Sequence, residues 1–163
     1  MRFFEDIAIG ERRGIGSHRF TAEEIRRFAT AYDPQPFHLD EAAARDSHFG
    51  GLCASGWHTL AVWMRLNVGE FQRQAHDLEM AGIPAARIGP SPGFDELKWL
   101  KPVFAGDTIS FETEIIARKP SRSRPEWGLI SIRNIGRNDA GDVVISFIAH
   151  VFAERRSTPA TGA

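Results

Sequence analysis

Apolar residues at Trp57, Leu60, Ala61, Met64, Val68, Phe71, Ala75 and Leu78 recur at the spacing of a single helix face. They predict one helix of about six turns over 56–78. A second apolar set, Val62, Trp63 and Leu66, lies off that stripe, so such a helix is expected to be covered on more than one side. Past Leu97 the texture changes. Residues 108–117 alternate, with Ile109, Phe111 and Ile115 on one face, and 127–135 and 143–152 are rich in β-branched and aromatic residues. The segments 119–125 and 137–141 read as the turns between these strands. Helix and strand are segregated along the chain, which gives an α+β class and excludes a doubly wound parallel sheet. One long apolar helix and at least four strands predict a sheet wrapped around that helix.

The first half carries shorter helices. Thr21 and Glu24 have the spacing of a capping box, with Ile25, Phe28 and Ala29 as the apolar stripe of a helix within 20–32. Asp33-Pro34-Gln35-Pro36 stops it, because each proline forces its predecessor out of the α region. Asp40 is placed to cap a short helix through Ala44. Segment 83–94, with Pro84, Pro90 and Pro92, reads as a loop.

Composition narrows the function mainly by exclusion. Twenty Lys and Arg stand against 21 Asp and Glu in 163 residues, without the basic excess of a nucleic-acid binder. Cys53 is the sole cysteine, which excludes an internal disulfide and a cysteine-based zinc site. No His or acidic cluster has metal-ligand spacing. The opening Met1-Arg2-Phe3-Phe4-Glu5-Asp6 puts acids where a signal peptide builds its apolar core, and no apolar run approaches a membrane span. The expectation is a cytoplasmic single domain.

Reactive residues concentrate in Tyr32-Asp33-Pro34-Gln35-Pro36-Phe37-His38. Asp33 and His38 put a carboxylate and an imidazole on one proline-stiffened segment, the common way to build a base near neutral pH. The same residues also suit a plainer arrangement, with Asp33 capping a turn and His38 simply preceding a helix. Ser55 is a candidate N-cap for the long helix, which leaves the Gly56 N–H in the first turn, free and backed by the helix dipole. Such a donor can stabilise charge developing on a carbonyl oxygen, and glycine lets a ligand approach. It equally suits an ordinary cap followed by a tolerated glycine.

Asp33-x-x-Pro36-Phe37-His38, followed seventeen residues later by Ser55-Gly56 opening a long helix, resembles the hydratase motif of MaoC-like dehydratases. These are hot-dog-fold proteins that include (R)-specific enoyl-CoA hydratases. Phe49-Gly50-Gly51-Leu52 and Pro102-Val103-x-x-Gly106-Asp107-Thr108-Ile109 extend the resemblance over most of 15–153. It implies a single hot-dog domain over 1–153, while the tail 154–163, which loses its apolar residues and fills with Arg, Ser, Thr, Pro and Gly, is expected to be disordered. It further implies that Asp33 and His38 hold and activate the water added to a trans-2-enoyl thioester, giving an (R)-3-hydroxyacyl thioester. Gly56 would donate its N–H to the thioester oxygen, with Ser55 and Gln35 beside the substrate. The partner implied is an acyl-CoA or acyl-carrier thioester, bound as substrate rather than cofactor, with no metal. The family also implies side-by-side pairing into a homodimer or dimer of dimers, and a place in fatty acid metabolism. Two positions depart from the pattern: Tyr32 replaces a glycine, and Gln35 an asparagine, so the amide reaches about an ångström further.

Other residues invite weaker assignments. His58 follows Gly56 closely enough to face the site, but a structural place is expected of it, as of His48 and His150. Cys53 is expected as a small buried hydrophobe, and Ser55 lacks the Gly-x-Ser-x-Gly elbow of a hydrolytic nucleophile. The basic run at Arg118, Lys119, Arg122 and Arg124 suits either CoA phosphates or a solvated hairpin tip. Two rival functions remain: a thioesterase on the same fold, and a non-catalytic acyl-CoA-binding or regulatory subunit.

Overall fold

A computed structural model describes residues 1–156. After a 3-10 turn at Phe4–Asp6, the chain forms β1 (Arg12–Arg19), α1 (Ala22–Tyr32), α2 (Pro36–Leu39), α3 (Glu41–Arg45) and α4 (Gly56–Met80). Four strands follow: β2 (Gly93–Trp99), β3 (Thr108–Pro120), β4 (Trp127–Arg137) and β5 (Val143–Glu154). All five strands pair antiparallel in the order β1-β3-β4-β5-β2. This is the expected hot-dog architecture, one antiparallel sheet around one long helix.

Local chemistry accounts for the helix boundaries. Thr21 and Glu24 close a reciprocal capping box on α1. Pro36 occupies the first turn of α2, a one-turn helix the sequence pattern does not reveal, where its missing N–H costs nothing. The Asp40 carboxylate accepts the Ala43 N–H at 2.8 Å and starts α3. Where β1 crosses β3 the register shifts between Gly14 and Gly16, and Gly16 takes φ 119°, a conformation open to glycine.

The core lies between α4 and the concave face of the sheet. Val62 and Trp63 pack with Phe20, Ile25, Ile109, Phe111, Val144, Ile145 and Phe147. The Trp63 indole donates to Asn134 at 3.1 Å, which satisfies both buried polar groups. The buried face of α4 is therefore the one carrying Thr59, Val62, Trp63 and Glu70. Of the expected stripe, Trp57, Met64 and Val68 are exposed, and this corrects the assignment of faces. Both faces are apolar, and helical periodicity alone does not say which one meets the chain's own sheet.

A second cluster fastens the chain's start to the far end of the sheet, where Met1, Phe4 and Ile7 pack on Ile130, Ile132, Val151 and Ala153. The Arg118 guanidinium donates to the carbonyls of Phe4 and Glu5 at 2.9 and 3.1 Å and lies over the Phe4 ring. That arginine is a clasp for the N-terminal turn. Of the expected tail, Glu154 ends β5, and Arg155 and Arg156 pair with Glu5 and Asp6; the remainder lies outside the described residues. No helix among the described residues is long and apolar enough to cross a membrane.

Candidate active site

The end of α1, the helix α2, the start of α4 and the end of β2 converge on a cavity of about 550 Å3. Asp33, Gln35, His38, Ser55 and Gly56 all line it, so the fold brings together every residue expected at the site. Asp33 is the C-cap of α1, and its N–H still bonds to the Ala29 carbonyl at 2.9 Å. The prolines then turn the chain so that α2 points His38 back at Asp33. The His38 Nε2 lies 3.5 Å from the Asp33 Oδ2.

His38 is 5% exposed, and its other ring nitrogen meets the Cys53 carbonyl oxygen at 2.7 Å. A carbonyl only accepts, so Nδ1 carries the proton and neutral His38 presents a lone pair at Nε2. Asp33 is held as a carboxylate. Burial opposes its ionisation, but hydrogen bonds from the Ser55 hydroxyl and the Gln35 amide, together with His38 nearby, keep its pKa below the usual range. The Gln35 Nε2 reaches the Asp33 Oδ1 at 2.8 Å, so the longer amide takes the carboxylate two residues before it as partner.

Ser55 has two contacts. Its hydroxyl accepts the Trp57 N–H at 3.2 Å as the N-cap of α4, and it donates to Asp33. Gly56 is the first residue of α4, where the N–H has no intrahelical partner. A Cβ at Gly56 would lie 2.5 Å from the Trp99 indole, so only glycine lets that ring sit there.

The remaining candidates separate clearly. His58 is buried outside the cavity, stacked on Phe28 with ring centroids 4.6 Å apart. Burial lowers its pKa to about 4, against the opposing pull of Glu24. Cys53 is buried and its thiol is pushed up to about 11 by burial, which suits a packing role. His150 does have partners, Ser131 at 3.0 Å and Asp95 at 2.9 Å, joining β4, β5 and β2. No residue of 118–124 lines the cavity. Trp99, Lys101 and His48 do, and the sequence pattern singled out none of them as site residues. Trp99 and Lys101 come from a strand end with no local motif, and an aromatic near Pro102 is the only sequence signal. No group of three or more His, Cys, Asp or Glu side chains that could hold a metal occurs among the described residues.

The pattern of the MaoC like domain matches residues 7–127, which includes the whole Asp33–Gly56 constellation. The chain belongs to the MaoC-like family. Within it, the mesaconyl-CoA hydratase of Cereibacter sphaeroides is 38% identical over 159 residues. That match takes in 98% of this chain and 43% of the relative, so the chain spans less than half of that hydratase. The crystal structure of a MaoC-like dehydratase from Rhodospirillum rubrum superposes with a TM-score of 0.79 at 42% identity, covering 97% of this chain and all of that one. An (R)-hydratase from A. caviae involved in PHA biosynthesis shares the fold at a TM-score of 0.63 and 21% identity, over 90% of this chain and 97% of its own.

Proposed function

We propose that this MaoC-like chain hydrates a trans-2-enoyl-CoA reversibly to the (R)-3-hydroxyacyl-CoA, with Asp33 and His38 as the catalytic pair. The observation that carries this is the 3.5 Å pairing of His38 Nε2 with Asp33 inside the cavity that also holds the start of α4. One water oxygen fits between those two atoms at about 2.8 Å from each. The Asp33 carboxylate accepts one of its O–H bonds and orients it. His38 Nε2 takes the other proton as the oxygen bonds to C3. The C2=C3 electron pair moves toward the thioester oxygen, where the Gly56 N–H and the α4 dipole stabilise the enolate. Collapse of the enolate takes the proton from the imidazolium onto C2. One water is consumed, the thioester survives, and no cofactor takes part.

Several supports converge on this reading: family membership, the 38% identity to a CoA-thioester hydratase and the locked tautomer of His38. That relative's name also brings short, branched dicarboxylic enoyl-CoAs into the candidate substrates. For the assembly, we propose a homodimer. The exposed apolar side chains Trp57, Met64 and Val68 of α4, with Phe94 and Leu100 at the β2 edge, offer a face for a second copy. Light scattering should give twice the chain mass.

The deciding experiment offers crotonyl-, longer-chain, branched and dicarboxylic enoyl-CoAs to the protein and follows loss of the enoyl-thioester absorbance. At least one should be consumed with formation of a 3-hydroxyacyl-CoA, and D33N and H38A should lose that activity. Free thiol without a hydroxyacyl product would indicate a thioesterase. No turnover of any member, with binding retained, would indicate a non-catalytic subunit.

A further inference from the structure

Strand β2 carries an irregularity that aims one side chain at the site. Its pairing with β5 runs Gly93 to His150, Phe94 to Ala149 and Asp95 to Ile148, then resumes at Lys98 with Ser146 and Trp99 with Ile145. One extra residue therefore sits on β2. Within it Glu96 takes φ 54°, the only non-glycine residue with positive φ among the described residues. In a regular strand Asp95, Leu97 and Trp99 would share a face. Here the bulge divides them. Asp95 reaches His150, whereas Leu97 packs on the core under α4 and Trp99 enters the cavity holding Asp33 and His38. Bulges of this kind re-aim side chains beside active sites.

The edge of the Trp99 indole that carries the N–H is the part pressed on Gly56. Nε1 and Cε2 both lie 2.5 Å from where a Gly56 Cβ would be, and Trp57 packs edge-on against the ring at 5.3 Å. A Cβ lies roughly 2.5 Å from its own backbone N by standard geometry, so Nε1 is within about 5 Å of the Gly56 N. Two donors that close can share one oxygen at about 3 Å from each. Indole N–H only donates, and the Trp99 ring lines the cavity, where an acceptor on a bound substrate can meet it.

We infer that Trp99 is a catalytic residue, its indole N–H giving the thioester oxygen a second hydrogen bond beside that from Gly56. This rests on the hydratase reading above. It explains why the strand departs from regular pairing at Glu96 and why residue 56 has no side chain.

The test has two arms. In the first, W99F, which keeps a ring but loses the N–H, should lower kcat on the accepted enoyl-CoA about 100-fold with KM within threefold, and W99H should recover part of the rate. Trp99 is 45% exposed, so the smaller rings are accommodated. In the second, infrared spectra of carbonyl-labelled butyryl-CoA, which cannot be hydrated, read polarisation of the bound thioester directly. The carbonyl stretch should move to lower frequency in the wild type and by markedly less in W99F at saturating ligand. An equal shift in W99F, an unchanged kcat, or failure of the wild type to bind butyryl-CoA overturns the assignment. A Trp99-dependent shift in a protein that turns over no enoyl-CoA supports the donor and overturns the hydratase reading instead.

Discussion

His38 and His58 are almost equally deep, at 5% and 7% exposure, and both stand close to the start of α4. Their surroundings differ in kind. His38 has the Cys53 carbonyl on one nitrogen, Asp33 on the other and an open cavity in front. His58 lies between the rings of Phe28 and Phe20, and its Nδ1 is buried without a hydrogen-bond partner. Burial by itself disfavours the imidazolium, so it disables a histidine as a proton carrier near neutral pH. What makes His38 a candidate base is the pair of partners that fix its tautomer and would steady its charge.

The comparison breaks most sharply on His38 itself. H38A should cost about a thousandfold in kcat/KM on the accepted enoyl-CoA, and D33N a similar factor, with unchanged circular dichroism. The two losses should be strongly non-additive, since the proposed mechanism has both residues handle the same water. A double variant with the product of the single losses would separate the residues into independent roles.

S55A comes next. Removing the hydroxyl takes away one of the hydrogen bonds that hold Asp33 ionised. The Asp33 pKa, followed by carboxyl NMR, should therefore rise toward the ordinary carboxylate value, and the rate at neutral pH should fall about tenfold because the carboxylate is held less firmly against the water. The lost N-cap should also cost about 1 kcal/mol of stability by chemical denaturation. An unmoved Asp33 pKa with an unchanged rate would show that Ser55 serves α4 only.

The smallest effect on activity, and the clearest contrast, is expected of H58F. The folded pKa of His58, about 4, lies below its unfolded value of about 6.5. The unfolded chain then binds more protons between those values, so wild-type stability falls as pH drops from about 6.5 to about 4. H58F removes this term. Its activity at neutral pH should stay within twofold of wild type, while its unfolding free energy should decline less over that acid window. A large loss of rate would place His58 in the chemistry after all.

How much of this is legible in the sequence follows the range of the interactions. Asp33, His38, Ser55 and Gly56 are readable because short stretches with caps and prolines determine where they point. Strands β3, β4 and β5 are readable because alternation is local, although each runs past its expected end, whereas β2 begins at Gly93 inside the segment expected as a loop. The bulge in β2 is not readable, since it exists only against β5, and Trp99 stays hidden with it. Arg118 misleads for the same reason: its partners are carbonyls more than a hundred residues away, and carbonyls leave no trace in a sequence. The exposed stripe of Trp57, Met64 and Val68 shows that apolar periodicity locates a face without naming its partner.

The most direct test of the Asp33–His38 reading follows the oxygen atom. An accepted enoyl-CoA is incubated in heavy-oxygen water and the products are examined by mass spectrometry and chiral chromatography. The account predicts an intact CoA thioester carrying one heavy oxygen at C3 in the (R) configuration, and its loss in both D33N and H38A. Heavy oxygen in a free carboxylate with release of CoA, or full labelling at C3 in either variant, would contradict it.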